Sequence, residues 1–199
     1  TEVWSYTFIS LALLLLAAFN LSPLAVKLFP LVVAVLVGYS YTKRFTWASH
    51  LWLGVALGFA PLGSWIAITN RLDLAPVLLA GGVLFWVAGF DIIYACLDYE
   101  FDRKNGLYSI PAQFGIRRAL QISTVCHVVS PALFIAAGLA LKLGTLYFTG
   151  IGIAVVLLIY QHIIVTPVSL TRINIAFFNL NAALSVSMLL FTLADIIIR

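Results

Sequence analysis

Ala75-Pro-Val-Leu-Leu-Ala-Gly-Gly-Val-Leu-Phe-Trp-Val-Ala-Gly-Phe-Asp91-Ile-Ile-Tyr94-Ala-Cys-Leu97, running on into Asp98-Tyr-Glu-Phe-Asp102-Arg-Lys104, decides what kind of fold this chain can adopt. A helix needs about 20 apolar residues to cross a hydrocarbon core, and the first part of the stretch has that length. Its far end holds Asp91, Asp98, Glu100 and Asp102, in a chain with only 7 acidic residues and 9% charged residues overall. Carboxylates beside a membrane are costly unless something binds them, so they are the first candidates for a working site.

Spacing sorts these acids. At about 100° per residue, Asp91, Tyr94, Asp98 and Asp102 share one helical face, and Glu100 points to the opposite one. Asp98 and Asp102 are about 6 Å apart along the axis, and Asp91 lies about 10 Å before Asp98. Asp98 and Asp102 can therefore share one ion, with Asp91 serving another ion or another side of it. Carboxylates in this arrangement suit Mg²⁺, which takes oxygen ligands, keeps several waters and bridges to phosphate oxygens. Lys43, Arg44, Arg103 and Lys104 lie on the same expected membrane side and either neutralise phosphate or fix topology.

Composition extends the reading to the whole chain. Hydrophobic residues make up 63% of the 199 residues, well above the roughly 45–50% of soluble domains. Period-two alternation is absent, which argues against a β-barrel. The expected fold is an all-α integral membrane bundle of seven transmembrane helices in one domain, 1–199. The spans are Tyr6 to Leu21, Leu24 to Tyr41, Ala48 to Thr69, Ala75 to Leu97, Ile116 to Leu141, Thr145 to Val165 and Ile173 to Ile198.

Positive charge marks the cytoplasmic side. Lys43, Arg44, Arg103, Lys104, Arg117, Arg118 and Arg172 fall at one end, and Lys27, Arg71, Lys142 and Arg199 at the other. The acidic motif and the N-terminus are therefore expected in the cytoplasm, and the protein is expected in a membrane of the bacterial inner-membrane type. The net charge of +4 fits juxtamembrane bases facing anionic lipid and calls for no nucleic acid.

Several residues read as packing. Cys96 and Cys126 lack a metal-type spacing and are expected to be buried. His127 and His162 are read as lone packing histidines. Gly54-Val-Ala-Leu-Gly58 predicts close helix contact, Pro61 a bend in the third span, and Asn174, Asn181 and Ser185 one polar stripe. The start Thr1-Glu2-Val3 has neither Met nor a signal-peptide pattern, and upstream sequence is expected.

At the acidic motif the chain resembles a family. Asp91-Ile-Ile-Tyr94-Ala-Cys-Leu-Asp98-Tyr-Glu-Phe-Asp102, followed by Ser109-Ile-Pro111-Ala-Gln-Phe-Gly115, is similar to the second aspartate-rich motif of UbiA-superfamily intramembrane prenyltransferases. The Ser109–Gly115 stretch is close to the 4-hydroxybenzoate polyprenyltransferase branch. Tyr39-Ser-Tyr-Thr-Lys43-Arg44-Phe-Thr46 resembles a loop of the same branch.

The resemblance implies a nine-span fold with two aspartate-rich motifs, so the first two spans and the first motif are expected upstream of Thr1 and this chain alone is expected to be catalytically incomplete. It also implies Mg²⁺-dependent transfer of a polyprenyl group from polyprenyl diphosphate to a hydroxybenzoate-type aromatic acid, in quinone biosynthesis. The allylic C–O bond ionises and the cation alkylates the ring beside its hydroxyl. Asp91, Asp98 and Asp102 would hold metal, Lys43, Arg103 and Lys104 the departing diphosphate, Arg44 the acceptor carboxylate, and Tyr94 would face the allylic cation. The rivals are a sister enzyme with a naphthoate or tetrapyrrole acceptor, and a transporter with an acidic cation site. A transporter would spread its carboxylates through the membrane depth, whereas these cluster at one end.

Overall fold

The computed structural model describes residues 2–198. Thr1 and Arg199, on which the reading of the chain start and one of the positive charges rest, lie outside the described residues. Seven helices are long and apolar enough to span a membrane. They are built on α1 (Glu2–Leu21), α2 (Pro23–Thr42), α3 (Ser49–Thr69), α4 (Leu74–Ala95), α7 (Ile116–Ala140), α8 (Thr145–Ile164) and α9 (Asn181–Ile198). Two short helices, α5 (Tyr99–Lys104) and α6 (Ile110–Phe114), join α4 to α7. No β-strand forms among the described residues. The physical reason is that backbone polar groups in lipid must be satisfied within the segment that carries them, which a helix does alone.

Local chemistry sets the helix ends. Ser22 accepts the Ala25 N–H at 3.1 Å, with Pro23 at the first helical position of α2, where its missing N–H costs nothing. Asn70 closes α3 in the left-handed region at φ 53°, and its Oδ1 accepts the Leu24 N–H at 3.0 Å, tying the α1–α2 turn to the α3–α4 turn. α3 runs through Pro61 without ending.

Helix α4 is the centre of the bundle, packed mainly against α3 and α7. Ala88, Ile92 and Ile93 of α4 form the core with Cys96, Ile110, Ala119, Leu120, Cys126, Val165, Ile173 and Ala176. Both cysteines are buried and free. Gly54 and Gly58 lie directly against the α4 backbone at Leu84 and Ala80, which is the close approach expected of that pair.

Two expectations change inside the bundle. His127 and His162 are not lone: His127 Nδ1 and His162 Nε2 are 3.0 Å apart, and His127 Nε2 lies 3.3 Å from the Trp86 carbonyl. Apolar spans brought side by side leave a polar side chain little water, so these two rings pair with each other. Nor do Asn174 and Asn181 share a stripe, since Asn181 is buried and Asn174 exposed. A π-helical turn, Ile175–Leu180, intervenes, and its wider turn shifts the register, so a seven-residue spacing no longer returns to one face. Side chains take up carbonyls in that turn. Gln161 Nε2 donates to the Ala176 carbonyl at 3.0 Å and Asn181 Nδ2 to the Phe177 carbonyl at 2.8 Å.

Candidate functional site

The acidic stretch is not one straight α-helix. After Ala95 the backbone tightens into a 3₁₀ turn, Cys96–Asp98, before α5 resumes. Each 3₁₀ residue turns about 20° further than an α residue, so three of them rotate the next helix by roughly 60°. The expected single face is thereby divided: Asp91 looks toward α3, and Asp98 and Asp102 look toward the end of α2.

Lys43, immediately beyond the last residue of α2, meets the second pair. Its Nζ donates to Asp102 Oδ2 at 3.2 Å and stands 3.7 Å from Asp98 Oδ2. The Asp102 side chain is only 2% exposed, while that of Asp98 is 50% exposed. One carboxylate is thus sealed in and its neighbour opens outward. Glu100 is exposed, as its position opposite the others requires.

Asp91 has a different partner. His50, buried in the first turn of α3, places Nδ1 2.7 Å from Asp91 Oδ2. The other ring nitrogen, Nε2, accepts the Ile110 N–H at 3.3 Å. That backbone donor leaves the imidazole proton on Nδ1, directed at the carboxylate.

Loop contacts hold this group of residues together. The Tyr108 N–H donates to the Lys43 carbonyl at 2.7 Å, and Leu107 N–H to the Asp102 carbonyl at 2.8 Å. Trp47 packs edge-on to Phe114 at 5.4 Å. Ser109 caps α6 by accepting the Ala112 N–H at 3.3 Å, and Gly115 ends it at φ 83°, a value that favours glycine. The loop after α2 and the α6 segment, distant in sequence, are therefore packed together.

The remaining candidates are placed differently. Tyr94 lies against Phe177 of the π-turn with ring centroids 4.2 Å apart and planes tilted by 36°, and Phe90 meets the same ring edge-on at 5.3 Å. This aromatic wall continues up α4 to Trp86, 5.7 Å from Phe90. Arg44 is exposed with its guanidinium over the Tyr41 ring, 5.5 Å from the centroid. Arg103 donates to the Tyr99 hydroxyl at 2.8 Å and lies over that ring. Lys104 is exposed. Only Lys43 of the four bases is brought to the carboxylates.

His50 and Phe177 escaped the sequence reading. His50 had a usable signal, because it opens the span antiparallel to α4 on the membrane side of the acids. Phe177 had none, since its facing depends on the π-turn. Among the described residues no three His, Cys, Asp or Glu side chains converge as a ready-made metal cage. The Asp98/Asp102 pair, already gathered on one cation, still fits Mg²⁺. That ion is usually bound through one or two carboxylates, with waters and substrate phosphates completing its shell.

Comparisons with known proteins identify the family of the chain. The family model described as the UbiA prenyltransferase family matches residues 1–183. A 4-hydroxybenzoate solanesyltransferase of Synechocystis sp. is 37% identical over 146 residues, covering 73% of this chain and 50% of that protein. A 4-hydroxybenzoate octaprenyltransferase of Aromatoleum aromaticum is 32% identical over 144 residues, covering 72% and 48%. The chain thus spans about half the length of the curated relatives it matches. The apo structure of a UbiA homolog from Aeropyrum pernix K1 superposes with a TM-score of 0.88 at 32% identity, covering 98% of this chain and 72% of the other.

Proposed function

Because the chain belongs to the UbiA prenyltransferase family, we propose that it carries part of an intramembrane enzyme that transfers a polyprenyl group from polyprenyl diphosphate to a hydroxybenzoate-type acceptor in quinone biosynthesis. The observation that carries this reading is the convergence of Asp98 and Asp102 on Lys43 at one end of an apolar bundle. A ligand with a charged diphosphate head and a hydrocarbon tail needs both environments side by side. The excess of Lys and Arg at this end supports a cytoplasmic orientation, in keeping with an enzyme of a bacterial inner membrane.

Asp98 and Asp102 would hold Mg²⁺, which when bound neutralises diphosphate oxygens. Lys43 lies between these carboxylates and supplies a point charge that can pass to phosphate. Asp91, steadied by His50, offers a further oxygen from α4. Tyr94 and Phe177 present adjoining rings at the apolar side of the acids, where an aromatic face favours an allylic cation. Arg44, exposed and paired with no carboxylate among the described residues, suits an acceptor carboxylate by its planar fork. Arg103 and Lys104 add positive charge at the mouth.

The test uses membranes from cells expressing the gene product that contains this chain, supplied with polyprenyl diphosphate, Mg²⁺ and 4-hydroxybenzoate. Asp98→Asn and Asp102→Asn are each expected to lower transfer by about 100-fold or more, as loss of a charge-stabilising group does. Glu100→Gln should stay within about threefold. Equal tolerance of all three changes defeats the assignment. Prenylation of a naphthoate or tetrapyrrole in place of the hydroxybenzoate would move the enzyme to a sister reaction.

A further inference from the structure

The buried histidine at the start of α3 touches the acidic helix and the loop beyond it at once. His50 is 1% exposed. It is a polar ring wholly enclosed, with both nitrogens engaged: Nδ1 with Asp91 Oδ2 at 2.7 Å and Nε2 with the Ile110 N–H at 3.3 Å. A buried imidazole held this way has one tautomer available, because a backbone N–H can only donate.

We propose that His50 is a positioning residue that aims the Asp91 carboxylate at the ligand, its proton locked on Nδ1 by the Ile110 N–H. The inference rests on the prenyl-diphosphate reading above. The geometry makes two demands that histidine meets together, a donor toward Asp91 and an acceptor for the Ile110 N–H. Asp91 is on the deeper side of the 3₁₀ turn, without a lysine of its own, and its side chain remains 20% exposed. Fixing Oδ2 to His50 leaves Oδ1 as the oxygen that can face a ligand. The Ile110 N–H belongs to the first residue of α6, the helix that Ser109 caps and in which Pro111 comes second. The loop that closes over Lys43 therefore also selects the tautomer that orients Asp91. A side chain that kept only the loop contact would preserve packing and lose the aim.

Amide side chains separate the two contacts. The Asn amide falls where Nδ1 stands and can still donate to Asp91. The Gln amide reaches the Nε2 position and can still accept from Ile110. Binding of farnesyl thiodiphosphate with Mg²⁺ to the detergent-solubilised gene product, measured by titration calorimetry, gives a readout independent of turnover. His50→Ala and His50→Gln are expected to weaken binding about tenfold. His50→Asn should recover most of that loss, and kcat/KM for transfer should move in the same order. Rescue by Gln and not Asn would reduce His50 to a loop anchor and overturn the proposal, as would wild-type binding in all three variants.

A second measurement needs no substitution and so survives any failure of the variants to fold. In the unaltered protein, amide exchange at Ile110 should slow about fivefold or more when the same ligand and Mg²⁺ are added, because ligation of Asp91 stiffens the chain of contacts through His50. An unchanged Ile110 rate with bound ligand overturns the inference while leaving the prenyl-diphosphate reading intact. Failure of the wild-type protein to bind the analogue at all defeats that reading, and this inference with it.

Discussion

Lys43 Nζ and Asp102 Oδ2 lie 3.2 Å apart although 59 residues separate them in the chain. The Asp102 side chain is 2% exposed and the Lys43 side chain 35% exposed, so a carboxylate sealed inside meets a cation reaching in from the rim. Removing the cation strands the acid. Lys43→Met is expected to destabilise the protein by about 1–3 kcal/mol, below the figure for a fully buried pair because Lys43 is partly hydrated. Lys43→Met paired with Asp102→Asn should recover part of that loss. Thermal unfolding in detergent checks both, and transfer activity should fall with Lys43→Met even at temperatures where the protein is folded.

The two glycines of α3 make a prediction about packing alone. A Cβ at Gly58 would meet the Ala80 carbonyl oxygen at 2.9 Å, and at Gly54 it would collide with the Leu84 carbonyl. Backbone cannot move aside as a side chain can. Gly54→Ala and Gly58→Ala should each cost about 1–3 kcal/mol, with Gly54 the worse. Gly63 has nothing within 4 Å of such a Cβ, so Gly63→Ala should instead raise helix stability by up to about 1 kcal/mol. Melting temperatures of the three variants must separate in this order.

At the opposite end of the bundle, Asp195 of α9 accepts the Gly144 N–H at 2.6 Å and lies 3.4 Å from the Tyr147 N–H. Gly144 has no side chain with which to cap α8, so a carboxylate from another helix supplies the acceptor at the positive end of its dipole. Asp195→Ala is expected to cost about 1–2 kcal/mol in unfolding. Transfer per folded molecule should not change, because the Lys43 site lies at the other membrane face. A selective loss of turnover without loss of stability would contradict the capping role.

Asn181 fastens the π-turn. Its Oδ1 accepts from Trp86 Nε1 at 3.1 Å and from Gln161 Nε2 at 2.9 Å. Asn181→Leu leaves both donors short of an acceptor in an apolar interior, costing about 1–3 kcal/mol. Trp86 fluorescence should shift along with the melting temperature. If the π-turn also sets the facing of Phe177, the variant should bind the prenyl diphosphate analogue more weakly than Asp195→Ala does.

Individual spans and residues mark how far the sequence reaches. The α3 span read from Ala48 to Thr69 forms as Ser49–Thr69, and the α8 span read from Thr145 to Val165 forms as Thr145–Ile164. Such limits are legible because apolar length and capping residues are local properties, and lipid leaves the backbone no alternative to a helix. The grouping of Asp98 with Asp102, and the exile of Glu100, come equally from helical spacing. Spacing also sets Asp91 apart along the axis, but that it faces another helix depends on a 3₁₀ turn of three residues that composition does not announce.

Sequence by itself therefore determined seven membrane-crossing helices, the end at which acids and bases gather, and the residue types that meet there. Tertiary structure alone decided that Lys43 and not Arg44 reaches the carboxylates, that His50 holds Asp91 from 41 residues away, and that a π-turn lays Phe177 on Tyr94. The reason is physical. Helix formation in lipid is satisfied within each segment, whereas the partner of a buried polar group is whichever donor or acceptor the packed neighbours bring within about 3 Å.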